Sequence, residues 1–167
     1  MWWGIMKEYK YVYEENKKLD VIFDELYDSN NREIIEKNIL ELLVELGELA
    51  NETRCFKYWS TKKINNKEEI LEEYADCMIM ALYFCNMVKI DIDGVVVDYS
   101  ERDIIIQFIK LYGLVSKLKY VLDKNLIQEI ISNLVNLGNL LCFSDKEIIE
   151  GCLKKIEKNK LRFETGF

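Results

Sequence analysis

The feature that most constrains the fold is the absence of proline from a chain of 167 residues that also has only 7 glycines. Proline and glycine are the residues least compatible with a helix interior. Their scarcity favours long helices, because β-rich folds need more turn residues. Apolar residues make up 50% of the chain, which suffices for a core without disulfides or structural metal. We therefore expect a single all-α domain over residues 1–167.

Hydrophobic periodicity divides the chain into about six helices joined by short polar segments, which predicts a helical bundle. The predicted helices cover approximately residues 6–27, from the polar break 28–31 to 53, 66–88, 100–121, 126–141 and 144–160. Asn66 and Ser144 each stand three residues before a glutamate, which is the capping-box pattern at a helix start. Residues 90–99 are expected to form a turn with a short extended piece, or an irregular connection.

Composition excludes several classes of function. The formal net charge of −7 disfavours a nucleic-acid partner, because phosphate backbones bind basic surfaces. The chain has no histidine, so a His-based catalytic triad and an HExxH zinc site are ruled out. Its 5 cysteines contain no CxxC pair and fit free thiols in a reducing cytoplasm. We see no signal peptide, and the longest apolar run is too short to span a membrane.

Acidic residues on the second and third predicted helices are the strongest candidates for a functional site. Four glutamates of the second helix fall within an arc of about 60° on an otherwise apolar helix: Glu41, Glu45, Glu48 and Glu52. The third helix carries a similar line of acids that continues as apolar positions one turn later: Glu69, Glu72, Glu73 and Asp76, then Met80 and Tyr83. Such narrow stripes suggest acids that point into a bundle rather than into solvent.

Carboxylates three residues apart on a helix share one face, and two such pairs on facing helices could surround Mg²⁺, which prefers oxygen ligands and retains waters and substrate phosphates. Bound metal can polarise phosphoryl oxygens and acidify water. The same spacing is also common on solvated helix surfaces, so periodicity alone leaves both interpretations open.

Two segments carry a resemblance to a known family. Residues 44–60, VELGELANETRCFKYWS, closely resemble the dimeric all-α dUTPases, relatives of the MazG-type pyrophosphatases, and residues 70–76, ILEEYAD, resemble their second acidic motif. The family pattern ExxE…ExxD falls on four residues here: Glu45, Glu48, Glu73 and Asp76. The end of the chain is similar to the family's closing Lys-x₃-Asn-x₂-Arg pattern, at Lys155, Asn159 and Arg162, followed by Gly166-Phe167.

The resemblance implies a Mg²⁺-dependent dUTP diphosphatase of the all-α NTP pyrophosphatase type, which hydrolyses dUTP to dUMP and pyrophosphate. The four acids would bind two or more Mg²⁺ ions, with Mn²⁺ as a substitute, and Glu48 would also be the catalytic base. Six residues would contact substrate: Asn16, Lys57, Trp59, Lys155, Asn159 and Arg162. Family members are homodimers, so a homodimer is expected, without nucleic acid or membrane and in the cytoplasm.

Departures from the family pattern concern base and sugar recognition. Asn16 begins the segment NKKLD where the family has Gln-x₂-Leu-Asn, and Cys152 and Phe167 stand where tyrosine is common. A MazG-like pyrophosphohydrolase that acts on another nucleotide, such as dCTP, therefore remains an alternative. A non-catalytic helical interaction protein is a second alternative, although all four acids of the pattern are present. The phosphorus that is attacked and the geometry of the dimer are left open by the sequence.

Overall fold

The computed structural model describes residues 5–28, 30–62 and 66–166, with side chains from Tyr9 onward. Within these ranges the chain forms six α-helices, as predicted, and one short 3₁₀ helix. The α-helices are α1 (Ile5–Leu26), α2 (Arg32–Thr53), α3 (Lys67–Met87), α4 (Ile104–Lys117), α5 (Lys124–Leu140) and α6 (Asp145–Thr165), and the 3₁₀ helix is Ile92–Gly94. The fold is therefore an all-α bundle.

Local side-chain contacts fix where the helices begin. Asn31 caps α2 and Asn66 caps α3, each accepting a hydrogen bond from the backbone N–H two residues later. The capping box predicted at the start of α6 is complete, because Ser144 accepts from the N–H of Glu147 while the Glu147 carboxylate accepts from the N–H of Ser144. These contacts satisfy N–H groups that have no partner inside the helix.

The connection between α4 and α5 differs from the prediction. Helix α4 ends at Lys117, four residues early, and α5 begins at Lys124. The reason is Asp123, which caps α5 by accepting from the N–H of Leu126. A capping residue has extended backbone, so the chain leaves the helical conformation before Asp123 is reached.

Helix α6 runs to Thr165, five residues beyond the predicted end. Its last turn places the Phe163 ring edge-on against Phe23 of α1, with ring centroids 6.4 Å apart. Burial of an aromatic ring stabilises the helix that carries it. The first and last described helices are thus packed along each other.

Helix α3 is the centre of the bundle and packs against α1, α2, α5 and α6. Its side chains are buried around most of the helix, and Tyr74 and Met78 are completely enclosed. Only the stripe that carries its acids opens towards a cavity. Helix α4 completes the bundle by packing on α2 and α5.

Gly47 in the middle of α2 allows the Tyr112 side chain of α4 to approach the α2 backbone closely. A Cβ atom at Gly47 would lie 2.9 Å from the Tyr112 hydroxyl of α4. Any larger residue would therefore require the Tyr112 side chain to move.

In the part of the chain that the structure describes, no single helix is both long and apolar enough to cross a membrane. Helices α5 and α6 have the length and composition of a membrane-spanning segment only when they are taken together, and this pair is sharply bent.

Candidate functional site

A cavity of about 250 Å³ lies between α1, α2, α3 and α6. Each of these helices contributes residues spaced by about one turn, so each presents a single stripe to the cavity. The lining residues are Asn16, Leu19, Asp20 and Phe23 from α1; Asn38, Glu41 and Glu45 from α2; Asp76, Ile79, Met80 and Tyr83 from α3; and Lys155, Asn159, Arg162 and Phe163 from α6.

Three carboxylates converge at one end of this cavity. Oxygens of Glu45, Glu73 and Asp76 all lie within 4.8 Å of one another, and the three side chains are half-buried. Glu45 comes from α2, whereas Glu73 and Asp76 are three residues apart on α3. Helix periodicity therefore places the α3 pair on one face, and the packing of α2 on α3 brings Glu45 to it.

Burial raises the pKa of all three acids, and the charge of Asp76 adds to the shift at Glu45 and Glu73. Burial, and next the charges of Asp76 and Glu48, raise the pKa of Glu45 to about 7. Burial and the charge of Asp76 also raise the pKa of Glu73. Burial raises the pKa of Asp76 as well, although Lys155 opposes the shift. A cation placed among these oxygens would relieve both the repulsion and the cost of burial.

Two lysines of α6 neutralise part of this acidic end. The Lys155 ammonium lies 2.5 Å from a carboxylate oxygen of Asp76, and Lys158 lies 2.6 Å from Glu72. Lys155 is mostly buried while Lys158 is half-exposed. Lys155 is therefore the cation held at the cavity wall, next to the converging acids.

Glu48 occupies a different environment from Glu45. It is exposed and lines a shallow polar groove on the outer side of α2, together with Gly47, Asn51 and Glu73. Glu73 borders this groove and also belongs to the converging acids. Glu48 is close enough for its charge to raise the pKa of both Glu45 and Glu73.

The donor set fits a hard divalent cation. Three carboxylate oxygens within reach of one point, with an open cavity beside them, match the preference of Mg²⁺ for a few protein carboxylates plus water and phosphate ligands. Among the described residues this is the group of acids that meets the geometry of a metal site. It joins Glu45, Glu73 and Asp76 of the sequence-predicted tetrad, with Glu48 beside them.

The opposite end of the cavity combines aromatic rings with buried polar atoms. Phe23 meets the Tyr83 ring edge-on at 5.8 Å, and Phe163 also lines this end. Asn16 Oδ1 is a buried atom without a hydrogen-bond partner in the described part, and Asn38 Nδ2 and Tyr83 Oη face each other without a hydrogen bond of normal geometry. Unpaired buried polar atoms are rare in folded proteins, and these three side chains suit a polar, planar ligand.

The surroundings of the Tyr83 hydroxyl shift its pKa in opposite directions. Burial raises its pKa to about 12, the charges of Asp24 and Asp20 act in the same sense, and the nearby Asn38 amide opposes them. At neutral pH Tyr83 is therefore a neutral hydroxyl that can donate or accept.

The cavity contains four of the six residues expected to contact substrate: Asn16, Lys155, Asn159 and Arg162. The other two lie elsewhere, after the end of α2. Lys57 contacts the Asn51 amide oxygen, and Trp59 packs edge-on against Tyr58 with centroids 5.1 Å apart. Trp59 is 64% exposed, so this aromatic group stands outside the cavity that the structure forms. Phe167, the last residue of the closing pattern, lies outside the described residues.

Several cavity residues were not singled out from the sequence as site residues. Asn38 precedes the acidic stripe of α2 by one turn, Phe23 lies one turn beyond Asp20 on α1, and Phe163 directly follows Arg162 on α6. The sequence signal that could have identified them is a polar residue on an apolar helix face. This pattern recurs on four helices, with spacings of 3, 4 and 7 residues. Glu41, which is not part of the family's ExxE…ExxD pattern, also lines the cavity.

Comparison with known proteins identifies the family. The sequence model of the dUTPase family matches residues 8–167, nearly the whole chain. No curated protein matches the chain at a significant level. The match covers all four helices that form the cavity, and the all-helical fold agrees with the all-α members of the family. The chain therefore belongs to the dUTPase family and is a dUTP diphosphatase, a hydrolase of nucleoside triphosphates.

Proposed function

We propose that the cavity binds the deoxynucleotide, with its triphosphate towards the converging acids and its base towards the aromatic end. The observation that supports this proposal is the polarity of the cavity, which has the three converging acids and Lys155 at one end and, at the other, aromatic rings with the side chains of Asn16, Asn38 and Tyr83. A nucleotide has the same division between a charged and a planar part. The cavity therefore orients the substrate by charge as well as by shape.

Glu45, Glu73 and Asp76 are proposed to hold Mg²⁺, with Glu48 as a further ligand at the edge of the same group. When bound, the metal would neutralise phosphate charge and lower the pKa of a coordinated water. More than one ion is expected, with Mn²⁺ able to substitute, because carboxylates line both the cavity and the adjoining groove.

The chain's own residues position the reaction and move its proton. Lys155 and Arg162 reach the cavity from the same face of α6 and are proposed to donate to phosphate oxygens, with Asn159 between them. Glu48 is proposed to accept the proton of the attacking water, since its exposed carboxylate forms no ion pair with any described cation. Phosphoryl transfer needs this kind of positioning and charge compensation more than covalent chemistry.

Lys57 and Trp59 are proposed to act from the loop after α2. Lys57 lies near the groove, since it contacts Asn51, a groove residue, and Trp59 follows two residues later in the same loop. Their contribution would be to cover the substrate from outside, at the side of the acids, rather than to line the base pocket.

We further propose that the chain is a single catalytic domain that works as a homodimer in the cytoplasm. Helices α2 and α4 leave exposed apolar residues at helical spacing: Leu40 and Val44 on α2, and Ile105, Ile106 and Ile109 on α4. All five cysteines are free thiols, which suits a reducing compartment. The net charge of −7 speaks against a nucleic-acid partner.

Hydrolysis of dUTP, dCTP, dTTP and UTP with Mg²⁺ tests this proposal. We expect release of pyrophosphate, dependence on divalent metal and a preference for dUTP. Equal rates on all four substrates would contradict uracil recognition. Calorimetry with Mg²⁺ and a non-hydrolysable dUTP analogue gives the binding control, and absence of metal-dependent binding would contradict the site.

A further inference from the structure

Asp20 is a buried carboxylate that lines the base end of the cavity and has no ion-pair partner among the described residues. Its exposed fraction is 5%. Instead of a cation it has two amide donors: Asn16 Nδ2 at 3.3 Å from Oδ1, and Asn86 Nδ2 at 3.0 Å from Oδ2. Each carboxylate oxygen is therefore occupied by one amide group. Asp20 does not need a ligand to satisfy it.

The Asn16 amide is held in one orientation by these contacts. Its Nδ2 faces two acceptors, Asp20 Oδ1 and the carbonyl oxygen of Ile79, the latter at 3.4 Å. A side-chain amide has two N–H donors on nitrogen and only acceptors on oxygen. Rotating it by 180° would bring its oxygen against two other oxygens and lose both hydrogen bonds. Asp20 and the Ile79 carbonyl thus decide which atom of Asn16 is left over.

The atom left over is Asn16 Oδ1, a buried acceptor without a partner, in a side chain that is completely enclosed and lines the cavity. A ligand that places an N–H group here gains a hydrogen bond. A ligand that places an unprotonated ring nitrogen here brings two lone pairs together, and the buried oxygen stays unsatisfied.

We infer that Asp20 is a specificity-positioning residue, which fixes the Asn16 amide so that the base pocket accepts the N3–H of uracil and disfavours the unprotonated N3 of cytosine. The inference rests on the proposed location of the base in this cavity. Asp20 acts through Asn16 and does not contact the reacting atoms. A site built to bond an N–H rejects the analogue that lacks it much more strongly than a purely apolar pocket does.

The experiment compares kcat/KM for dUTP and dCTP in the wild type and three variants. Asp20→Leu removes both acceptor oxygens and frees the Asn16 amide to turn. The ratio of dUTP to dCTP kcat/KM is expected to fall by about tenfold or more. Asp20→Asn keeps an acceptor oxygen for Asn16, because Asn86 can turn its own amide, and is expected to preserve the ratio within about threefold. Asp24→Leu, one turn along α1 and exposed, is the matched control and should leave the ratio unchanged.

The outcomes separate this inference from the proposed function. If the wild type hydrolyses dUTP and dCTP equally, or if Asp20→Leu keeps the wild-type ratio, the role of Asp20 is refuted while the hydrolase assignment stands. If the wild type neither hydrolyses dUTP nor binds dUMP, the location of the base has failed. Binding of dUMP and dCMP by calorimetry measures the same discrimination without catalysis. If Asp20→Leu does not fold, Asp20→Ser replaces it, because serine retains a single acceptor oxygen. Its ratio of dUTP to dCTP kcat/KM should lie between that of the wild type and that of an unselective pocket. A wild-type ratio in Asp20→Ser would refute the inference.

Discussion

Two glutamates of α2 that are three residues apart lie in different electrostatic surroundings. Glu45 is half-buried, and burial and the charges of its neighbours raise its pKa to about 7. Glu48 is exposed in the adjoining groove. A carboxylate with raised pKa among other acids is suited to bind a cation, whereas an exposed one beside the metal is free to take a proton. The two residues should therefore respond differently to the same substitution.

Glu45→Gln is expected to abolish the stabilisation of the protein by Mg²⁺, because a ligand oxygen with negative charge is lost. At a Mg²⁺ concentration about one hundred times Kd the wild type should gain about 2.7 kcal/mol, measured as a rise in Tm. Glu48→Gln should lower kcat by about 10²-fold or more while nucleotide binding persists. Glu69→Gln, an exposed acid of α3, is the control. Full turnover in Glu48→Gln would refute its role as the base.

Asp20 makes the stability of the protein depend on pH. Burial is the main cause that raises its pKa from 3.8 to about 7, opposed by the Asn86 hydrogen bond. Between these values the folded state holds a proton that the unfolded state has released, so Asp20 lowers stability progressively as pH rises from about 4 to 7. The stability advantage of Asp20→Asn over the wild type should therefore be about 4 kcal/mol greater at pH 8 than at pH 4. Urea unfolding at both pH values measures this, and a pH-independent difference would contradict it.

At the scale of elements, each cavity helix supplies one stripe of residues, and the helix packing brings the stripes together. The close contacts that hold α3 against α5 and α6 depend on Gly138. A Cβ atom there would lie 2.7 Å from the Tyr74 hydroxyl and 2.8 Å from Ile148 Cδ1. The hydroxyl is itself fixed by a 2.9 Å hydrogen bond to the Leu134 carbonyl.

Gly138→Ala is expected to destabilise the protein by about 1–3 kcal/mol through overpacking, even though alanine is the better helix former. Adding Tyr74→Phe should recover part of the loss, because the clashing oxygen is removed. Tyr74→Phe alone should cost about 1 kcal/mol for its hydrogen bond. The control is Gly113→Ala, since a Cβ there meets nothing within 4 Å. Denaturant unfolding measures all four variants, and additive effects of the two substitutions would contradict the clash.

Features that depend on contacts between residues close in sequence could be predicted from the sequence, whereas features that depend on contacts between distant residues could not. The caps at Asn66 and Ser144 depend on contacts within three residues, so they were found from local pattern. Converging acids on α2 and α3 were found because periodicity and a family motif both mark them. The contact of Phe23 with Phe163 joins residues 140 positions apart, and the Asn38 amide of α2 meets the Tyr83 hydroxyl only because α2 packs on α3. Neither has a local signature.

At the scale of the whole molecule, α2 and α4 form a pair that is packed on one side and apolar on the exposed side. Leu40 is 61% exposed and Ile109 is 62% exposed. Exposed apolar residues at helical spacing on adjacent helices are typical of protein interfaces. They are the part of the described surface that we expect a second copy of the chain to cover.

The variant Leu40→Lys/Ile109→Lys is expected to convert the proposed dimer into a monomer, because two charges would have to be buried in the interface. Light scattering coupled to size-exclusion chromatography measures the mass. Val96→Lys is the control, since Val96 is 83% exposed in a loop and should leave the mass unchanged. A wild-type chain that runs as a monomer would contradict the proposed interface.

The cavity wall is shared between α1 and α6, the first and last helices described. This arrangement has a consequence for biosynthesis. A ribosome synthesises α1, α2 and α3 before α6, so the wall that carries Lys155 and Arg162 is the last part of the cavity to be made. The helices that carry the proposed cation ligands are therefore complete before the helix that would enclose a nucleotide, and the cavity closes only when the final helix has docked.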